Sequence, residues 1–141
     1  MAKTLIAFYS RRGENWVDGG VRFLPKGNNE VIVEKIKSQL PEAEVFQIET
    51  VKKYSDTIIL GYPNWWGVPP MAVFTFLESY DFSGKKVVPF CSHEGSGLGG
   101  SIRQIKMAVP EADLTAGVAI HGAAASHCDR EVNLILAQAT L

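Results

Sequence analysis

The stretch TIILGYPNWWGVPPMAVFTFLESY, residues 57–80, has the pattern of one complete strand–loop–helix unit. Its first four residues, 57–60, form a short and mostly apolar run, which is typical of a strand buried on both faces. A helix is predicted over 69–80, because the two prolines at its start suit a first helical turn. Between strand and helix lie two adjacent tryptophans, Trp65 and Trp66. The unit therefore predicts a buried parallel strand whose carboxyl end leads into an aromatic loop.

The same alternation of apolar runs and helical patterns continues on both sides of this unit. Residues 10–28 are rich in Gly, Asn and Arg and are predicted to form a long loop. Asn28 or Asn29 is expected to cap the next helix, which Pro41 ends. Strands are predicted over 4–9, 44–48, 57–60, 85–91 and 114–120, and helices over 29–40, 69–80, 99–110 and 130–140. Strands that alternate with helices indicate an α/β protein, with an open parallel sheet and helices on both faces.

Length and composition fit one globular domain over residues 1–141, since 46% of the residues are hydrophobic and 21% are charged. The net charge of −1 gives no reason to expect nucleic acid or an anionic membrane as a partner. The amino-terminal apolar run is too short for a signal peptide or a membrane span. Cys91 and Cys128 form no disulfide framework, so a cytoplasmic protein is expected, with Cys91 as an inert core thiol.

The loops after residues 9, 60 and 91 are expected to form a binding site, because open parallel sheets bind ligands beyond the carboxyl ends of their strands. The first loop ends in KGNNE, at a helix start where open N–H groups and the helix dipole favour an anion. Ser10, Arg11 and Arg12 add possible donors. A capped helix after a flexible loop is the alternative. The stretch has neither GxxxxGK[ST] nor GxGxxG, which disfavours a nucleoside triphosphate or a dinucleotide.

The second loop places Trp65 and Trp66 side by side, which predicts a slot for a flat aromatic ligand. The alternative is that one indole packs under the next helix and the other is exposed. The third loop, SHEGSGLGGS at 92–101, offers glycines whose open N–H groups suit the polar edge of a heterocycle, although it could also be a flexible connection. A flat heterocycle that carries one phosphate needs all three loops, and FMN fits.

The histidines are not expected to bind a metal ion. His93 and Glu94 are adjacent but have no third partner at metal-ligand spacing. His121 and His127 are expected to be ordinary loop histidines. No Ser-His-Asp or Cys-His arrangement stands out for covalent catalysis.

The chain closely resembles the flavodoxin family, in its bacterial branch with GYPxWWG and FCxHxGSG loops. The resemblance is carried by the segments TLIAFYSRRGEN, KGNNEVIVEKI, SDTIILGYPNWWGVPPMAVFTFLESYDFSGKKVVPFCSHEGSGLGGSIRQIK and GVAIHG. The resemblance implies a five-stranded parallel sheet in the order 2-1-3-4-5, noncovalent FMN binding and electron transfer. It also implies the FMN-binding residues. The phosphate would be held by Ser10, Arg12, Gly27, Asn28 and Asn29; the ring would be flanked by Pro63, Asn64, Trp65, Trp66 and Gly67; and its polar edge would be bound by Ser92, His93, Glu94, Gly95, Ser96 and Gly97.

The sequence departs from the family pattern in two places. Asn29 stands where the family usually has threonine, so an amide replaces a phosphate-binding hydroxyl. Only eight residues separate Ile48 from Thr57, whereas a normal crossover takes about a dozen or more. We therefore expect no crossover helix between the second and third strands, and an uncovered sheet face near the first and third. The hypothesis is that a second chain covers this face in a homodimer, with or without exchange of the first two strands. The alternative is a single chain with a partly exposed face and reduced stability.

The leading functional prediction is an FMN-dependent electron carrier that exchanges electrons with a redox partner protein or a small acceptor. The alternative is an FMN-dependent NAD(P)H reductase of quinones or similar acceptors. A net charge of −1 gives only weak electrostatic steering toward a basic partner protein, so the reductase remains an alternative to the electron carrier. A second alternative is a shortened paralogue that has lost flavin binding and acts as an interaction domain.

Overall fold

A computed structural model describes residues 3–10, 13–17, 20–48 and 56–141. Its elements are β1 (Thr4–Phe8), β2 (Gly13–Val17), β3 (Gly20–Leu24), α1 (Asn28–Gln39), β4 (Glu44–Gln47), β5 (Thr57–Pro63), α2 (Met71–Glu78), β6 (Lys86–His93), α3 (Ser101–Ala108), β7 (Asp113–Leu114), β8 (Val118–His121), a 3-10 helix (Gly122–His127) and α4 (Asp129–Thr140). No helix in these described segments has the length and apolar character needed to cross a membrane.

The main sheet is parallel and runs in the order β4–β1–β5–β6, and both β7 and β8 pair with β6. Because β7 and β8 are two pieces of the predicted fifth strand, the predicted order 2-1-3-4-5 is confirmed. The longest pairing joins β5 and β6 from Thr57 opposite Lys86 to Pro63 opposite Ser92. This pairing brings the loops that follow the two strands to the same edge of the sheet.

Helices cover both faces of the sheet, as predicted. On one face, Leu60 belongs to an apolar cluster with Phe76 of α2 and Ile105 of α3. On the other face, its neighbour Ile59 belongs to a cluster with Ile36 of α1 and with residues of α4. Adjacent residues of a strand point to opposite faces, so a continuous apolar run serves both clusters.

Gly61 and Phe90 are in close contact where β5 pairs with β6. The two residues are opposite each other in the pairing of β5 with β6. A β-carbon on Gly61 would overlap the ring of Phe90, which is fully buried. The ring therefore occupies the space that any other residue at position 61 would need.

The fifth strand is interrupted, so the prediction of one strand over 114–120 is wrong. Gly117 has a φ of 80°, a left-handed conformation that breaks the extended backbone between β7 and β8. The side chain of Gln138, in α4, bonds to the backbone at this break. Its Oε1 accepts from the Thr115 hydroxyl at 2.7 Å and from the Gly117 N–H at 3.0 Å, and its Nε2 donates to the Gly117 carbonyl at 3.3 Å.

The prediction of a long loop over 10–28 is also wrong. Strands β2 and β3 form an antiparallel hairpin, from Gly13 opposite Leu24 to Val17 opposite Gly20. The hairpin is a two-stranded sheet of its own, separate from the main sheet. Two of its apolar side chains are exposed, those of Val21 and Phe23.

Helix α1 begins one residue earlier than predicted, and neither asparagine caps it. The N-cap is Gly27, and Asn28 is the first helical residue. The Asn29 amide instead donates to the Tyr9 carbonyl at 3.0 Å, so this side chain ties the start of α1 to the end of β1. The helix ends at Gln39, before Pro41, as predicted.

The expected uncovered sheet face is not observed. Leu5 and Ala7 of β1, and Ile58 and Leu60 of β5, are buried within the single chain. The physical reason given for a covering second chain is therefore wrong, although a homodimer stays a prediction. No crossover helix is expected between Ile48 and Thr57. Most of this link, residues 49–55, lies outside the described residues.

Replacing Gly61 by alanine should destabilise the protein by about 1–3 kcal/mol, because the added methyl group overpacks the core against Phe90. Urea unfolding followed by circular dichroism measures this change. Gly20→Ala is the matched control: a β-carbon there meets no atom within 4 Å. It should change the free energy of unfolding by less than about 0.5 kcal/mol. Equal stability of the two variants would contradict the role assigned to the Gly61–Phe90 contact.

Candidate functional site

The candidate site lies where β1, β5 and β6 end side by side. Pro63, Ser92 and His93, expected in loops, are the last residues of β5 and β6. Ser10 lies just beyond the end of β1. The residues from Gly27 to Asn29 lie beside it, because the start of α1 is hydrogen-bonded to Tyr9 and Ser10. Arg12, a predicted phosphate ligand, lies outside the described residues, as does Arg11.

At the start of α1, several hydrogen-bond donors remain available. The Glu30 N–H donates to the Ser10 Oγ at 3.4 Å, which leaves the hydroxyl hydrogen of Ser10 free to donate. The Gly27 N–H donates to the Glu30 carboxylate at 3.4 Å. The N–H groups of Asn28 and Asn29 have no hydrogen-bond acceptor among the described residues. Two open N–H groups at the positive end of a helix dipole, with a hydroxyl beside them, suit an anion.

Asn64 joins the loop after β5 to the loop after β6. Its N–H donates to the Ser92 carbonyl at 2.8 Å. Its side-chain amide donates to the Gly97 carbonyl at 2.6 Å and to the Ser96 Oγ at 3.4 Å. Gly67 adds a further bond, because its carbonyl accepts from the Gly100 N–H at 3.0 Å. The two loops are therefore held as one unit.

The glycines after β6 allow this close approach. A β-carbon on Gly99 would lie 2.8 Å from the Gly67 Cα, so no larger residue fits without a shift. Gly97 has a φ of 58°, in the left-handed region that favours glycine. The N–H groups of Ser96 and Gly97 have no acceptor within the described part of the chain. They are open donors of the kind that a carbonyl or a ring nitrogen of a ligand accepts.

Tyr62 anchors the far end of the glycine-rich loop. Its hydroxyl lies 2.7 Å from the Ser101 Oγ, and that hydroxyl in turn donates to the Leu98 carbonyl at 2.6 Å. Because the Ser101 hydrogen is used by Leu98, Tyr62 acts as the donor. Burial raises the pKa of Tyr62, so the hydroxyl keeps its proton.

The two tryptophans have different surroundings. Trp65 is about two-thirds buried and packs edge-on against the Tyr9 ring, with centroids 6.0 Å apart. Trp66 is fully exposed and has a φ of 56°, which is rare for a residue with a β-carbon. Trp65 thus packs against the residue that follows β1, whereas Trp66 extends into solvent.

Two buried amide oxygens at the site have no hydrogen-bond partner among the described residues: Oδ1 of Asn29 and Oδ1 of Asn64. Exchanging oxygen and nitrogen would not help, because each amide nitrogen already donates to a carbonyl. An unpaired buried polar atom costs about 1–3 kcal/mol. Both residues were predicted to bind the ligand, and both carry such an atom.

A cluster of two histidines and a glutamate adjoins the glycine-rich loop. His93 and His121 end β6 and β8 opposite each other, and their rings lie 5.5 Å apart in an edge-to-face arrangement. The His121 Nε2 is 3.7 Å from the Glu94 carboxylate. The expectation that His121 is an ordinary loop histidine is therefore wrong. A signal was present, since two neighbouring strands both end in histidine. His127 lies in the 3-10 helix and bonds to Ser126 at 2.8 Å.

Burial lowers the pKa of His93, and the nearby His121 lowers it further, while the Glu94 carboxylate acts in the opposite direction. Burial also raises the pKa of Cys91 to about 12, so this thiol is not a nucleophile at neutral pH. The prediction that Cys91 is a core thiol is confirmed, and its inertness stays a prediction. Within the described ranges, no group of three His, Cys, Asp or Glu side chains is placed to hold a metal ion.

The chain is similar to several flavodoxins of known structure. It is 26% identical to oxidised flavodoxin 2 from Bacillus cereus, with a TM-score of 0.66 and 99% of each chain covered. Against oxidised flavodoxin 1 from Bacillus cereus, the identity is 20% and the TM-score 0.64, over 98% of this chain and 95% of that one. A flavoprotein from Lactobacillus acidophilus, solved in complex with FMN, is 18% identical with a TM-score of 0.63, over 88% of this chain and 96% of that one.

A comparison with curated protein sequences finds no match. The sequence model of the flavodoxin family, in contrast, matches residues 26–133. That segment includes the start of α1, the tryptophan loop, the glycine-rich loop and the histidine cluster. Because the match covers well over half of the residues, the chain belongs to the flavodoxin family.

Proposed function

We propose that this protein binds FMN without covalent attachment and carries electrons between redox partners. One observation carries the proposal. Backbone N–H groups without an acceptor occur in two places, at the start of α1 and in the glycine-rich loop, and both places lie at one edge of a flavodoxin fold. Bound FMN would supply the redox chemistry, and the protein would bind and orient it.

The phosphate end of FMN fits the start of α1. The open N–H groups of Asn28 and Asn29 and the hydroxyl of Ser10 supply three donors to the phosphate oxygens. Hydrogen bonds to a charged group contribute about 1.5–3 kcal/mol each. The side chain of Asn29 contributes less than predicted, since one of its N–H groups already binds Tyr9. Arg12 remains a predicted ligand.

The ring end fits the two joined loops. The N–H groups of Ser96 and Gly97 can bind the carbonyl and ring-nitrogen acceptors along one edge of the flavin. Trp65 provides a ring surface that Tyr9 already holds in place, so little conformational entropy is lost when a ligand stacks on it. Trp66 supplies a second wall only if its side chain turns inward, because it is fully exposed.

The NAD(P)H reductase stays as a second candidate because a groove lies next to the site. This groove, of about 610 Å³, runs between α2 and α3 and includes Gly100, Glu78, Arg103 and Met107. It has the size of a small-molecule site and adjoins the Gly67–Gly100 contact. NAD(P)H oxidation by the holoprotein alone, coupled to quinone reduction, would favour the reductase over the carrier.

Purified protein incubated with FMN and freed of excess ligand should keep the absorption bands of oxidised flavin, and it should quench the fluorescence of added FMN. After reduction, it should pass electrons to a haem protein acceptor, and it should oxidise NAD(P)H only when a separate reductase is present. Colourless protein after this treatment would instead favour the paralogue that has lost its flavin.

Replacing Ser10 by alanine should weaken FMN binding by about tenfold or more, because a hydrogen bond to a charged phosphate is lost. Riboflavin, which has no phosphate, should bind the variant and the wild type equally well. Fluorescence titration measures both affinities, and Ser126→Ala serves as the control at an exposed serine. An equal loss for FMN and riboflavin would place the phosphate elsewhere.

Replacing Trp65 by leucine should weaken FMN and riboflavin alike, by about tenfold, because aromatic stacking contributes about 0.5–1.5 kcal/mol beyond the area buried. The same titration distinguishes this pattern from that of Ser10→Ala. If Trp65→Leu left both affinities unchanged, the indole would not be a wall of the flavin site.

A further inference from the structure

We propose that Glu94 and His121 form a proton-linked pair that sets how strongly the site prefers a flavin with a phosphate to one without it. The inference rests on the FMN binding proposed above. It gives Glu94 a role different from the one that the family resemblance implies, namely contact with the polar edge of the ring.

The first support is the position of the Glu94 carboxylate near the anion end of the site. A β-carbon on Gly122 would lie 2.6 Å from the Asn28 Nδ2 and would overlap the Glu94 Oε1. The carboxylate and the first residue of α1 therefore converge on the same glycine. Since the open N–H of Asn28 is one of the proposed phosphate donors, the Glu94 charge would lie near a residue that binds the phosphate.

The second support is the sign of that charge. A carboxylate repels a phosphate, and at the edge of a protein site this repulsion is large enough to change affinity by about tenfold. The repulsion depends on the charge of Glu94, whichever further groups contact it. A proton on the adjacent imidazole cancels this charge, so FMN should bind best when His121 is protonated.

The third support is the hydrogen bonding of the two rings. His121 Nδ1 accepts the Ala123 N–H at 3.3 Å, and His93 Nδ1 accepts the Gly95 N–H at 2.9 Å. A charged imidazole carries hydrogen on both nitrogens, so it must give up such a bond. The longer bond of His121 is lost at lower cost, and its Nε2 faces Glu94. With the rings 5.5 Å apart, a charge on one histidine disfavours a charge on the other.

His93 of β6 lies directly beside the pair. The neighbouring elements carry further charged or titratable groups: Glu30 on α1, His127 on the 3-10 helix, and Lys35 of α1 with Asp129 of α4, which pair with each other at 3.0 Å. Arg11 and Arg12 lie outside the described residues. All of these residues are kept in the variants below, and the NMR titration at the end of this subsection reports how the protonation of His93 differs between the proteins.

The test is a fluorescence titration of the protein with FMN and with riboflavin, at about pH 6 and about pH 8 and constant ionic strength. Glu94→Gln should bind FMN about tenfold more tightly than the wild type at the higher pH. His121→Gln should bind FMN about tenfold more weakly than the wild type at the lower pH only. Riboflavin affinity should be the same for all three proteins.

Two controls accompany these variants. Glu42→Gln removes the same charge from an exposed position in the turn after α1 and should leave FMN affinity unchanged. The phosphate itself gains a proton near pH 6, which changes FMN binding by every protein. The comparison is therefore made between proteins at one pH, not between pH values for one protein.

The outcomes separate this inference from the proposed function. If Glu94→Gln bound FMN no more tightly than the wild type at the higher pH, or if riboflavin showed the same changes as FMN, the proton-linked pair would be wrong while FMN binding stood. If the wild type bound no flavin at either pH, the proposed function would fail and this inference with it.

A second measurement tests the electrostatic coupling without any flavin. In a histidine NMR titration of the free protein, Glu94→Gln should lower the pKa of His93, because the carboxylate that favours its charged form is gone. His121→Gln should raise the pKa of His93, because a neighbouring positive charge is removed. If His93 titrated identically in all three proteins, the cluster would not be coupled and the proposal would be overturned.

Discussion

The long parallel pairing of β5 with β6 is the constraint on which the candidate site depends. It continues past the apolar core as far as Pro63 and Ser92, so the backbone of both strands is fixed until the loops begin. The Asn64 N–H donates to the Ser92 carbonyl at that point, and the pairing passes directly into the contact between the loops. A shift of one residue in this register would separate Asn64 from Gly97 and would also place Phe90 against a residue that has a β-carbon.

The two ends of the proposed FMN site are held in different ways. The ring end is a network in which each loop supports the other, through Asn64, Gly67 and the Tyr62–Ser101 pair. The phosphate end depends on where one helix begins, because donors at a helix start exist only where the backbone has no earlier carbonyl to bind. Damage to the ring end should therefore spread through the loops, whereas damage at the start of α1 should remain local.

The fold could be predicted from the sequence largely because buried parallel strands are continuous apolar runs, and Leu60 and its neighbours read as such without any tertiary information. The glycines and asparagines over residues 10–28 favour a loop, so the hairpin of β2 and β3 is not predicted. The sequence does contain one hairpin signal, Asp18-Gly19 between Val17 and Gly20. The contact of Glu94 with the groups around Gly122 could not be predicted, since it depends on how the loop after β6 lies over α1.

The break in the fifth strand is bonded by a side chain of the last helix, α4. Gln138 supplies hydrogen bonds to Gly117 that a neighbouring strand supplies elsewhere, and the two residues are 21 positions apart in sequence. During synthesis on the ribosome, the backbone at Gly117 leaves the exit tunnel before its partner does. The strands β7 and β8 can therefore pair with β6 first, and the hydrogen bonds at the break between them form only when α4 docks.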